Sequence, residues 1–131
     1  MWAALGNYIV YLAATLVTLL VALFVYVRFL PYDELALIRR GNTAAAVALA
    51  GTMIGYAAVV WSATAHGGTL LETEVWSGVA LVSQIIAFEV VHLVFRDFKA
   101  QMEKGELAYG VTLGAFSIAI GFVNAACLTP A

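Results

Sequence analysis

The chain has 131 residues, 64% of them hydrophobic and 11% charged, with a formal net charge of −2. Soluble domains carry about 45–50% apolar and about 25% charged residues, and a unit this small has too little interior to hide the excess, so a water-soluble globule is excluded. No basic stripe is present to follow a nucleic-acid backbone, and the lone Cys127 excludes an intrachain disulfide or a cysteine metal cluster.

The first apolar run covers residues 8–30. A secretory signal would open on a basic segment, whereas the first basic residue here is Arg28, so the run reads as a retained span. Pro31, Tyr32, Asp33 and Glu34 then open a short helix with acids at its positive end. Arg39 and Arg40 close it at the negative end, and Gly41 supplies a left-handed stop. Asn42 caps the second span, residues 43–66. The loop after it carries His66, Gly67 and Gly68, then two glutamates and no Lys or Arg; His66 reads as an exposed loop residue. The third span is predicted over residues 75–95. Its loop repeats the grammar of the first: Arg96-Asp97 opens, Lys104 closes, Gly105 stops and Glu106 starts the last span, 107–128. Leu35 and Ile38, like Phe98 and Met102, are expected to lie on the headgroup layer. Each span is long enough, at about 1.5 Å per residue, to cross a ~30 Å hydrocarbon core, and only helices satisfy their backbone there without closing a barrel.

All 6 basic residues fall in or beside the first and third loops. The positive-inside rule therefore predicts both loops in the cytoplasm and both termini in the periplasm. Trp2, Tyr8, Trp61 and Trp76 fall near the opposite boundary, as interfacial aromatics do. The expected fold is an all-α membrane protein in one domain, residues 1–131. Its four transmembrane helices form two tandem antiparallel hairpins, 1–66 and 75–131, related as a parallel internal repeat.

The second span gathers Gly51 and Gly55 in a stripe of small residues, and the fourth gathers Gly110, Gly114 and Gly121. Such stripes let helix backbones approach closely. They serve either the chain's own helices or a homo-oligomer seam, and the two uses can coexist. The third span carries Gln84, Glu89 and His92 on one side, leading to Arg96. Ionisable groups in a span face protein or water and mark candidate sites. With Asn124 of the last span they could line a proton or small-ion path, or Glu89 could simply pair with His92 one turn away, or with Arg28 or Arg96 near the interface. Glu89-x-x-His92 also has the spacing of a carboxylate-bridged metal motif, but no second copy exists, so no metal and no cofactor is expected. Neither a nucleotide-binding glycine loop nor a hydrolase triad is recognisable, and the chain is not expected to be an enzyme.

Pro31-Tyr32-Asp33-Glu34, Leu37-Ile38, Gly41-Asn42 and Ala44-Ala45-Ala46 resemble the YjfL-like family of small bacterial inner-membrane proteins. So do Gly51, Gly55, Trp76, Ala80, Gln84 and the closing Gly121-x-x-Asn124-Ala125-Ala126-Cys127-Leu128-Thr129. The resemblance covers nearly the whole chain and implies four spans and an inner-membrane address. It brings no activity. The family pattern includes Gln84 but does not clearly require Glu89 or His92. Relatives are often encoded beside phage-shock-like and glutathionylspermidine-synthase-like proteins, which points to envelope maintenance. The first expectation is therefore a homo-oligomeric component of the lipid bilayer presenting its cytoplasmic loops to a soluble partner. The second is a proton or small-ion conduit.

Overall fold

The computed structural model describes residues 1–66 and 68–128; Gly67, and Thr129 of the closing motif, lie outside them. The described residues form six helices: α1 (Trp2–Phe29), α2 (Glu34–Arg39), α3 (Thr43–His66), α4 (Leu70–Val94), α5 (Phe98–Lys104) and α6 (Leu107–Cys127). α1, α3, α4 and α6 are the 4 helices long and apolar enough to span a membrane.

Two spans start earlier than predicted. α1 begins at Trp2, because nothing in its uncharged opening breaks a helix. α4 begins at Leu70, because Thr69 caps it: its hydroxyl accepts from the Glu72 amide at 3.2 Å, and the Glu72 carboxylate accepts from the Gly68 amide at 3.0 Å. That reciprocal arrangement is close to a capping box, a signal the apolar pattern does not carry. His66 is exposed but closes α3 as its last residue, rather than lying in the loop.

The two short helices end alike. Gly41 and Gly105 have φ of +83° and +82°, the left-handed region that glycine enters without a Cβ penalty. After each, an amide reaches back to close the turn, Asn42 to the Leu37 carbonyl at 2.9 Å and Glu106 to the Gln101 carbonyl at 3.0 Å. Asn42 caps α3 by accepting from the Ala45 amide at 3.0 Å, and its Nδ2 donates to the Met102 carbonyl at 2.7 Å, which fastens one connection to the other. Both connections therefore sit at one end of the bundle, called here the loop end.

α3 and α6 make the most extensive contact in the chain. A Cβ on Gly51 would run into the Gly114 backbone, one on Gly110 into Ala44, one on Gly55 into the Ser117 carbonyl, and one on Gly121 into Gly55. Small residues on both helices thus bring main chain against main chain, the contact that dispersion favours where lipid supplies no hydrophobic force. The Ser62 hydroxyl ties the far end by donating to the Ala125 carbonyl at 2.7 Å. α4 packs against this pair and α1 mainly against α4. α1 stands out from the bundle, with 6% of its most apolar window buried against 50% for α3.

Phe98 and Met102 do not rest on the headgroups as expected; both are 0% exposed and plug the loop end. Phe98 meets Phe88 edge-on at 5.8 Å and Tyr109 at 6.0 Å, and Phe88 meets Tyr32 edge-on at 6.2 Å. An aromatic cluster spanning both connections thus holds α2 and α5 up against the spans. Leu35 is exposed and Ile38 half-buried.

Candidate functional site

The four polar residues singled out within the spans are not brought together. Gln84 is buried, and its Nε2 donates to the Ser117 carbonyl at 3.1 Å. Glu89 is exposed on the outer face of α4. His92 does not bond Glu89; its ring stacks on Phe88 at 5.6 Å, and it is half-buried. Asn124 lies at the opposite end of the bundle, lining a recess of about 410 Å³ with His66, Glu72 and Trp76. Although Glu89 and His92 are neighbours on the helix surface, the His92 ring turns toward Phe88, while the Glu89 side chain stays exposed.

The residue that sequence reasoning undervalued is Glu34. It read as an acid placed for the dipole of α2, yet the exposed Asp33 fills that role, accepting from the Ala36 amide at 3.1 Å. Glu34, one residue on, turns inward and is 1% exposed. Neither of its oxygens has a hydrogen-bond partner, nor has the hydroxyl of Tyr32 beside it. An unsatisfied buried polar atom costs about 1–3 kcal/mol, and an ionised one more, so the carboxyl is driven toward its neutral form. Burial pushes Glu34 up to about 8, and burial, with the nearby Glu34 carboxyl, pushes the Tyr32 hydroxyl up as well. Glu34 lines an open recess of about 610 Å³ together with Phe24, Arg28, Tyr32, Asp33 and Arg39.

A chain of polar side chains continues inward. The Thr52 hydroxyl lies 3.4 Å from the Tyr26 hydroxyl and 3.4 Å from that of Ser117. Gln84 Oε1 is buried with no partner. A cavity of about 10 Å³, lined by Tyr26, Thr52, Tyr56 and Gln84 among others, sits at this level. Toward the other end, Tyr56 lies near Ser77, whose hydroxyl donates to the Thr73 carbonyl at 2.7 Å, and the Glu74 carboxylate accepts from the Thr18 hydroxyl at 2.7 and 2.9 Å. Of this set the sequence flagged Gln84 by its type. A Thr, Ser or Tyr in a span is too common to stand out until the fold aligns several of them.

Comparison with known proteins accords with a small membrane bundle. The profile described as "Domain of Unknown Function (DUF350)" matches residues 1–128. The chain is 34% identical over 110 residues to "UPF0719 inner membrane protein YjfL" of Escherichia coli (strain K12), covering 84% of this chain and 83% of that protein. The protein of the same name in Escherichia coli O157:H7 matches to the same extent. No solved structure matches. With four candidate spans and a family profile running through all of them, the chain is a multi-pass inner-membrane protein and belongs to the DUF350 family.

Proposed function

We propose that the protein is a non-enzymatic component of an inner-membrane assembly. It associates with copies of itself and turns the outer faces of α2 and α5 to a soluble cytoplasmic partner in envelope maintenance. The supporting observation is Glu89. It lies on the outer face of α4 among the exposed Val82, Ile86, Val90 and Leu93. A carboxylate turned to lipid costs about 2.5–3.5 kcal/mol at a span's centre, so such groups almost always face protein or water. Arg28 is also exposed, its guanidinium 4.5 Å from the Phe24 ring centre. α1 and α4 both end at the loop end, so α1 of one copy alongside α4 of the next brings opposite charges to similar depth. The exposed Arg39, Arg40, Lys99, Glu103 and Lys104 supply a mixed-charge surface for the soluble partner.

Light scattering in mild detergent is expected to give at least twice the 13.9 kDa chain mass. Glu89→Ala is expected to weaken association about tenfold, a loss of about 1.4 kcal/mol. A monomeric wild type, or a variant that associates equally well, sinks this reading. The orientation has its own test: a reporter active only in the periplasm should work when fused near Gly68 and fail near Gln101. The reverse pattern overturns it.

A second reading, a proton or small-ion conduit, is favoured by a separate observation: Gln84 Oε1 is buried without a partner beside a small cavity. Proton flux into dye-loaded liposomes tests it directly.

A further inference from the structure

Glu34 is a buried carboxyl with no structural partner, and neither the assembly reading nor the capping of α2 uses it. It lines the recess at the loop end, its charge reaches the Tyr32 and Tyr26 hydroxyls, and Tyr26 lies 3.4 Å from Thr52 among the polar side chains of the interior. Those side chains stand in a bundle otherwise packed with Ala, Gly, Val and Leu. The cavity beside Gln84, at about 10 Å³, is near the lower limit for one water.

We propose that Glu34 is the proton-binding group at the loop end of a proton path inside a single chain, leading through the Tyr26 and Thr52 hydroxyls and past the cavity that Gln84 lines toward Tyr56 and Glu74. This rests on the conduit reading and names its ion and its entry group. Each transfer breaks one O–H bond and forms another. Glu34 gives its proton toward the Tyr26 hydroxyl and takes one from the recess; each hydroxyl, and a water admitted to the cavity and held by the Gln84 carbonyl oxygen, accepts one proton as it donates another, so no charge remains along the line.

A proton suits the surroundings better than a metal or organic cation. Arg28 of α1 and Arg39 of α2 line the recess with Glu34 and repel larger cations, while Asp33 at its rim is exposed. Tyr26 of α1 and Tyr32 of the connection lie close enough to feel the charge of the carboxyl. On α4 the ionisable group on this side is His92, stacked against the Phe88 ring that meets Tyr32. Burial holds the carboxyl neutral until the pH passes about 8, within reach of both states in a cell.

The test is infrared titration of the full chain in liposomes, run alongside proton flux. A protonated-carboxyl band that fades as the pH passes about 8 is expected in wild type. It should vanish in Glu34→Gln and shift in Glu34→Asp. A band unchanged in both variants overturns the assignment. Flux should be lost in Glu34→Gln and in Tyr26→Phe, with helix content unchanged. Wild-type flux that persists in Glu34→Gln removes Glu34 from the path and leaves the conduit standing. No wild-type flux above protein-free vesicles defeats the conduit reading and with it the path, whatever the band shows.

Discussion

Alanine at Gly121 or Gly51 is expected to destabilise the bundle severely, while alanine at Gly78 is expected to be harmless or mildly stabilising. All three glycines lie inside helices, where alanine is intrinsically better by about 1 kcal/mol. The surroundings decide the sign. A methyl at Gly121 meets the Gly55 backbone and one at Gly51 meets the Gly114 backbone, neither of which can yield as a flexible side chain would. At Gly78 nothing lies within 4 Å. Overpacking costs about 1–3 kcal/mol in ordinary cores and more where backbone must move, so a net loss of about 2 kcal/mol or more is expected at the first two positions. Leucine at Gly55 or Gly114 should be worse still. Leu20→Ala, on the outward face of α1 at 65% exposed, should cost little. Thermal unfolding in mild detergent, followed by tryptophan fluorescence, measures the series. Equal midpoints for the Gly121 and Gly78 variants would show that α3 and α6 are not in backbone contact.

The second large effect concerns pH. Glu34 is raised from its ordinary 4.5 to about 8 in the folded chain. A carboxyl so shifted binds its proton more tightly folded than unfolded. Its contribution is therefore fully present below 4.5 and is lost as the pH rises through about 8. Each pH unit in that window removes about 1.4 kcal/mol, for a total of about 5 kcal/mol. Glu34→Gln keeps the neutral shape without the titration. Wild type and variant should match near the acid end of the window, and the variant should be the more stable above it. Parallel stability curves across the window would mean that Glu34 is not held neutral by burial.

The four spans were legible because a chain in lipid must be apolar for a full membrane thickness, and that constraint is written residue by residue. The glycine stops of α2 and α5 were legible for a similar reason, since Gly41 and Gly105 each sit just past a short run closed by basic residues. The helix starts at Trp2 and Leu70 were not, because apolar length marks where a span suffices and not where hydrogen bonding begins. Phe98 and Met102 were misplaced because an apolar pair at helical spacing looks the same whether it meets headgroups or the underside of a bundle. Glu34 is recognisable as an opening acid of the loop, but its burial is not. Next to Asp33 at a helix start it is indistinguishable from a second capping acid, and only the direction in which the helix docks turns one outward and the other inward. Glu89 and His92 were flagged for their type and share a helix face, yet the Phe88 ring draws the imidazole inward and leaves the carboxylate exposed.

The contact between α3 and α6 also orders events during synthesis. The surfaces that meet belong to the second and the fourth of the four spans. Until α6 arrives, the face of α3 around Gly51 has no Gly114 backbone to close it, although α4 can already pack beside it. Insertion can therefore proceed span by span, but the α3–α6 contact closes only when α6 meets a helix made about half a chain earlier.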